Sequence, residues 1–535
     1  MKGLMGTQAL TVRTIFDRMR TVHAAGEVVD ALPGGSTRTT YGEMAERVLR
    51  LVTVLRDLGV RPGDRVATFA NNSSRHVELY YAVPLAGAVL HMVNIRLHDD
   101  QLEHVVVDAG DSVLFVDDDL VARLAPLVDR MPSVRTWVRI GKGDTADIPG
   151  ILDGEGLLAD AAPTPLADLP ELAEDDACGM CHTSGTTGMP KAVVYSHRAI
   201  YLHAMAACMV DALALSEAER VLPVVPLFHA CGWGLPYAAP LTGAELIFAG
   251  ADTSPGNLAR IIESERVTWA AGVPTIWTAL LPLAQAGTAD LSSLRTLGVG
   301  GSATPLTLLE AYDALGIEIV QIWGMTETSP VAAASRPRRR HRGLGTEELR
   351  GVRAMTGTIF AGLEARLVGE DGADLPWDGQ SVGELECRGP WVCTDYWGGA
   401  PDKFRDGWLR TGDMAVMDSD GYFRIVDRSK DLVKSGGEWI SSVELEGAVL
   451  AHPAVREAAV VGIPSQKWDE RPAVVVALCD GVSLELPELH AFLASRVAKW
   501  WLPDELVVVD EVPKTSVGKY DKKAIRAQLA GRVQP

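Results

Sequence analysis

Nine residues from Thr183 to Lys191 read Thr-Ser-Gly-Thr-Thr-Gly-Met-Pro-Lys, and no other stretch constrains the chain as tightly. Gly185 and Gly188 let the backbone turn so that successive N–H groups face one point, which makes an anion-binding concavity. The hydroxyls of Thr183, Ser184, Thr186 and Thr187 add donors, and Lys191 adds a positive charge. A loop of this composition suits the phosphates of a nucleotide. It is not a Walker A loop, which requires G-x-x-x-x-G-K-[ST]. Counted from Gly185, the second glycine falls on Pro190, and Ala192 stands where a hydroxyl should follow Lys191. Read alone, the stretch is also compatible with a Ser/Thr-rich surface turn. The apolar run before Thr183 and Val193-Val194-Tyr195 after Lys191 predict two strands joined by this glycine turn.

The same alternation of patterns runs through the first 430 residues. Tyr41, Met44, Ala45, Val48, Leu51, Val52 and Leu55 fall at helical spacing, with Thr40 and Glu43 as a capping box. Pro62-Gly63-Asp64 turns the chain into the strand-like Val66–Phe69, and Val113–Val116, Val221–Val225 and Val267–Ala271 continue the series. The apolar run Leu79–Val93 reads as a buried helix. This is the pattern of an α/β fold with mainly parallel, layered sheets. A boundary is expected after Asp427, where a charged stretch ends one pattern and a new one begins at Val443. The division is 1–427 for an N-terminal region of several subdomains, 428–433 for a linker, and 434–535 for a small α/β C-terminal domain.

Further short strings follow the loop in a fixed order. They are Gly300-Gly301-Ser302-Ala303, Trp323-Gly324-Met325-Thr326-Glu327-Thr328, Thr411-Gly412-Asp413, Asp427-Arg428-Ser429-Lys430-Asp431, Ser435-Gly436-Gly437-Glu438 and Pro513–Lys519. Together with Thr183–Lys191 and Tyr195-Ser196-His197-Arg198, this series resembles the adenylate-forming superfamily over roughly residues 40–525. That superfamily includes acyl-CoA and aryl-CoA synthetases, luciferases and peptide-synthetase adenylation domains. The wording Gly437-Glu438-Trp439-Ile440-Ser441-Ser442 and Phe228-His229-x-x-x-Trp233 looks most like bacterial medium- and long-chain fatty acyl-CoA synthetases.

The resemblance implies a site at the junction of a large N-terminal region and a small mobile domain, and it assigns roles. Thr183–Lys191 would hold the β- and γ-phosphates of ATP. Glu327 would bind Mg2+, which takes one or two carboxylates plus phosphate oxygens, and Thr326 would donate to the α-phosphate. Gly301, Ser302, Trp323, Gly324 and Met325 would surround the adenylate, with Trp323 flat against adenine in place of a widespread tyrosine. Asp413 and Arg428 would reach the ribose. Lys519 would bridge the substrate carboxylate and the α-phosphate as a mobile point charge. Lys430 would be the hinge, with Lys434, Gly436 and Gly437 on the thioester-forming face. His229 would lie near the adenylate and the path of the thiol of coenzyme A, and Trp233 would gate an acyl pocket. The chain departs from the family at His182 (tyrosine is common), Ala192 (glycine) and Cys231-Gly232 (often Asn-Ala), which leaves the size of the acid open.

Other features exclude or bound functions. Fifty Lys and Arg against seventy Asp and Glu give a net charge of −20, which argues against nucleic acid as a general partner. The basic run Arg336–Arg342 reads as a solvated loop, with contact to an anionic ligand as the alternative. No apolar stretch reaches the length of a transmembrane helix. Met1–Gly6 carries no apolar secretory stretch, and seven unevenly spaced cysteines suit a reducing cytoplasm. Cys178-Gly179-Met180-Cys181-His182 formally matches the haem attachment motif C-x-x-C-H, but it runs straight into the phosphate loop; apolar packing is the expected role.

The expected activity is AMP-forming activation of a medium- to long-chain fatty acid and its transfer to coenzyme A. The alternative keeps adenylation but takes an aryl or other acid, or nitrite as in ATP-dependent diazotases, with another acceptor. A nucleotide-binding protein without chemistry is disfavoured by Lys519, Glu327 and the hinge together. Relatives point to a homodimer formed through N-terminal segments.

Overall fold

The computed structural model describes residues 3–141, 147–183, 189–435, 438–465, 467–515 and 519–530. Local rules set the first layer. Thr40 and Glu43 close a reciprocal capping box, and the helix Tyr41–Asp57 then buries all seven apolar positions of its predicted stripe. Behind it stands a seven-stranded sheet in the order Leu152–Asp153, Thr136–Ile140, Val113–Asp117, Arg65–Phe69, Val89–Met92, Ala177–His182, Ala192–Ser196. Its pairs are parallel except the last, where the chain returns beside itself from Thr183 to Lys191.

The run Leu79–Val93 is not one helix. A helix covers Ser74–Leu85, Gly87 turns at φ +79°, and a buried strand covers Val89–Met92. A largely apolar run carries no period that could separate the two.

The second sheet joins fourteen strands. Glu27–Leu32, Glu245–Phe248, Arg220–Pro223, Trp269–Gly272, Thr296–Gly300 and Glu318–Gly324 pair in parallel. After Gly324 the sheet continues antiparallel through Val331–Ala334, Gly357–Ile359, Tyr422–Arg428, Trp408–Met417, Gly383–Arg388 and Glu364–Val368. The reversal needs glycine at 324, because a Cβ there would lie 2.0 Å from the Pro330 carbonyl oxygen. The basic run is exposed at Arg338, Arg339, Arg340 and Arg342, as expected of a solvated loop, and is pinned at two points: Arg336 pairs with Glu318, and Arg340 with Asp418 and Asp420.

Beyond Arg428 a five-stranded sheet forms from Glu438–Ile440, Val433–Ser435, Asp469–Leu478 and Val455–Ser465, with Glu505–Val509 parallel to Asp469–Leu478. The buried clusters of this lobe share no residue with those before it. The lobes touch where Asp427 Oδ2 accepts from the N–H and Oγ of Ser442, at 2.6 and 2.5 Å. Among the described residues no helix is long and apolar enough to cross a membrane.

One buried side chain ties the two large sheets together. Asn72, after the strand Arg65–Phe69, donates to the carbonyls of Pro223 and Val225 at 2.9 and 2.8 Å and accepts from the Leu227 N–H at 2.8 Å. Asn72→Ala leaves buried backbone groups unpaired and should cost about 3 kcal/mol, read as a lower urea midpoint. Asn72→Asp, which turns a carboxylate toward two carbonyls, should be at least as damaging. An unchanged midpoint in both would contradict this account.

Candidate active site

The parallel strands end on a single cleft of about 2660 Å3 that also touches the C-terminal lobe. Thr183, Lys191, His229, Trp233, Gly301, Ser302, Trp323, Gly324, Met325, Thr326, Glu327, Asp413, Arg428, Lys430 and Lys519 all line it. Clefts at the C-terminal ends of parallel strands are where α/β sheets bind ligands. Ser184, Gly185, Thr186, Thr187, Gly188, Gly436 and Gly437 lie outside the described residues. The base of the loop is closed by the Thr183 N–H, which donates to the Lys191 carbonyl at 2.9 Å.

The strand Glu318–Gly324 delivers Thr326 and Glu327 on one tight turn, Thr326–Thr328. Tyr195 Oη holds the Thr326 carbonyl at 2.8 Å, and the Cys393 N–H holds that of Glu327 at 2.8 Å. Glu327 is buried, and one of its oxygens accepts from Tyr396 Oη. Tyr396 was not singled out by the sequence. Its ring also faces the Lys191 ammonium, 5.7 Å from the centroid. Burial and the Glu327 carboxylate push its phenol well above the usual range. The only available signal was a large aromatic pair, Tyr396-Trp397, ahead of Gly398-Gly399.

Adjacent strands bring Asp413 opposite Arg428. Asp413 is buried, with Oδ1 2.6 Å from Arg428 Nε and Oδ2 accepting from Trp323 Nε1 at 2.9 Å. Each oxygen keeps a lone pair for a further donor. Trp323 is held edge-on by Phe423, with ring centroids 5.8 Å apart.

Lys519 comes from the other lobe and reaches the same place. A Cβ on Gly301, at φ +87°, would lie 3.3 Å from its Cε, so glycine makes room for the lysine stem. Loss of hydration pushes the ammonium down to about 8, helped by Arg428 and opposed by Asp413 and Glu327. Burial, then Lys519 and Arg96, push His229 down to about 3, which keeps that imidazole neutral. Trp233 is buried at φ +57° in a turn whose Gly232 and Gly234 also have positive φ. Lys434 stands apart from the cleft, its ammonium 5.3 Å from the Trp439 ring centroid.

Lobes, cleft and residue order match a known group across the chain. A family model described as AMP-binding enzyme matches residues 18–397, and one described as AMP-binding enzyme C-terminal domain matches 444–519. The chain belongs to the AMP-binding enzyme family. Within it, the chain is an AMP-forming acyl-CoA ligase, and the family implies ATP and coenzyme A as substrates. A long-chain-fatty-acid–CoA ligase of Thermus thermophilus is 43% identical over 530 residues, covering 98% of this chain and 96% of that one. A 3-methylmercaptopropionyl-CoA ligase of Ruegeria lacuscaerulensis is 40% identical over 535 residues, covering 99% of each. The solved anthranilate CoA ligase AuaEII, in complex with anthranoyl-AMP, superposes with a TM-score of 0.87 at 26% identity, covering 98% of each chain.

The Lys519 environment sets a pH dependence. The free enzyme loses the ammonium as pH rises through about 8. With Lys519 in the role the family resemblance implies, the kcat/KM of adenylate formation, which reports the free enzyme, should therefore fall on that alkaline side. In Lys519→Arg, which stays charged, the alkaline limb should disappear even if the rate is lower. An identical limb in both proteins would contradict the assignment.

Proposed function

We propose that this AMP-binding enzyme activates a medium- to long-chain fatty acid as an acyl-adenylate and transfers it to coenzyme A. One observation carries the first half: the Lys519 side chain, from the small lobe, lies in the same cleft as Thr183, Lys191, Glu327 and Asp413. Attack of a carboxylate on the α-phosphate sets an anion against a polyanion, so catalysis rests on positioning and charge neutralisation. In this reading Lys191 and the loop hold the departing phosphates, and Lys519 spans the carboxylate and the α-phosphate. Thr326 donates to the α-phosphate, and Asp413 accepts from the ribose hydroxyls beside Arg428.

Glu327 fits a Mg2+ held mainly by phosphates. It is the buried carboxylate of the Thr326–Thr328 turn, with one oxygen used by Tyr396. Among the described residues no group of three or more ligating side chains could cage a metal. Bound there, Mg2+ would offset phosphate charge.

The fatty acid is supported by apolar residues that line the cleft, Trp233, Val224, Val225, Val273 and Ile276 among them, and by the long-chain relative of Thermus thermophilus. The similar relative named for 3-methylmercaptopropionate supports a short acid as the second reading. ATP–pyrophosphate exchange across acids of graded chain length separates them: the fatty-acid reading expects the highest kcat/KM with a medium or long chain, and a maximum at a short or aryl acid would overturn it.

We further propose residues 428–433 as the hinge between a region ending at 427 and a domain starting at 434. In this reading, rotation about Lys430 withdraws Lys519 after adenylation and turns Lys434, Gly436 and Gly437 to the site, with neutral His229 beside the thiol path. Lys519→Ala should slow adenylate formation by two to three orders of magnitude, roughly 3–4 kcal/mol, yet leave thioester formation from preformed adenylate largely intact. Equal loss in both half-reactions would reject the role. Lys430→Pro, which fixes φ, should uncouple the two steps. Both half-reactions at wild-type rate would argue against a hinge there.

A further inference from the structure

His182, where the chain departs from its family, ends the strand that leads into the phosphate loop. Its imidazole is buried, and Nδ1 lies 2.9 Å from Nε2 of His91 on the neighbouring strand. His91 Nδ1 lies 2.7 Å from Asp111 Oδ2. On the other side, His182 Nε2 lies 3.3 Å from Oδ2 of Asp108, at the rim of the cleft. Asp111 is 0% exposed, and its Oδ1 meets no donor among the described residues. The other charged or titratable groups bearing on the chain are Arg65, which acts on Asp111 while its guanidinium bonds the Ala109 and Gly110 carbonyls, and His104. His104 Nε2 is 3.2 Å from the Pro190 carbonyl at the far end of the loop.

Counting protons decides how this chain is built. Asp111–His91, His91–His182 and His182–Asp108 are three links, and each needs one hydrogen. Two neutral imidazoles carry only two N–H groups between them, and two ionised carboxylates carry none. With two protons, one link must set acceptor against acceptor; a third proton satisfies all three. Burial disfavours charge both on Asp111, whose carboxyl is raised, and on His182, which is lowered to about 2. A third proton on Asp111 leaves every buried member of the chain neutral: the Asp111 O–H donates to His91 Nδ1, His91 Nε2–H to His182 Nδ1, and His182 Nε2–H to Asp108.

We propose that Asp111, His91, His182 and Asp108 form a proton-holding relay that braces the phosphate loop and links nucleotide affinity to one stored proton. On deprotonation the Asp111 proton moves to His91 Nδ1, the His91 Nε2 proton to His182 Nδ1, and the His182 Nε2 proton leaves to solvent past Asp108. The remaining Nε2 lone pair then faces a carboxylate, and one more negative charge stands behind a polyanion site. Both effects weaken ATP binding. These four are positioning residues, and the proposal rests on the reading of the loop as an ATP site.

The test is the calorimetric Kd for MgATP from pH 6 to 9 in the full-length protein. Wild-type affinity should carry an extra one-proton dependence, up to tenfold per pH unit above the relay's pKa. In Asp111→Asn the amide donates permanently to His91 and cannot lose its hydrogen. In Asp108→Asn the amide donates to His182, so two protons suffice. Either change should remove that extra slope, while titration of the nucleotide and of Lys519 is common to all three proteins and cancels. Asp108 is part-exposed, so its variant decides the matter if Asp111→Asn does not fold by circular dichroism. A uniform loss of affinity with the wild-type slope retained would mean a merely structural cluster and overturn the proposal. Absence of MgATP binding to wild type at every pH would overturn the ATP reading and the relay with it.

Discussion

The arrangement depends on one ammonium brought into a place that resists it. Lys519 loses hydration in the cleft and meets the like charge of Arg428, and both lower its pKa. Asp413 and Glu327 pull the other way but are already engaged, by Arg428 and Trp323 and by Tyr396. A site with every cation fixed in advance would repel itself before any phosphate arrived. In the proposed hinge reading, carrying the last cation on a separate lobe relieves that repulsion, and a bound polyanion would favour closure.

The large sheets supply the rigid side of this arrangement. Parallel strands converge on the cleft, and the reversal after Gly324 places Thr326 and Glu327 on a turn too short to sag. Tyr195 and Cys393 grip that turn from two directions. Asn72 fixes the first sheet against the segment 223–227, so the phosphate loop on one sheet and the Thr326–Glu327 turn on the other keep their spacing. A charge-driven reaction needs that stiffness, because preorganised dipoles lose their value when they must reorient.

Local chemistry was legible in the sequence wherever it was sufficient. The Thr40–Glu43 box, the stripe of residues 41–55 and the strands flanking 183–191 follow from capping and periodicity alone. The misreading of 79–93 came from a largely apolar run without a period, interrupted only by Pro84, Gly87 and His91. The antiparallel half of the large sheet was not anticipated, because strand order is decided by tertiary pairing. Ordered motifs brought Thr183, Glu327, Asp413 and Lys519 forward as a set, and the fold gathers them in one cleft. Tyr396 escaped because nothing local marks an aromatic as the partner of a distant carboxylate. His182 was visible as a departure, but its partner His91 is 91 residues away and contact was needed to see the pair. The C-x-x-C-H string likewise resolves by packing: Cys178 and Cys181 are reduced and buried, and burial pushes the Cys178 thiol up.

The most direct measurement is the labelling of lysines by an amine-selective reagent, quantified peptide by peptide with mass spectrometry. Lys519, with its lowered pKa, should label readily in the free protein and be strongly shielded by MgATP with an unreactive acid analogue. Lys434, outside the cleft, should label equally in both states. Labelling of Lys519 that ignores the nucleotide would contradict the claim that two lobes close this amine over one ATP.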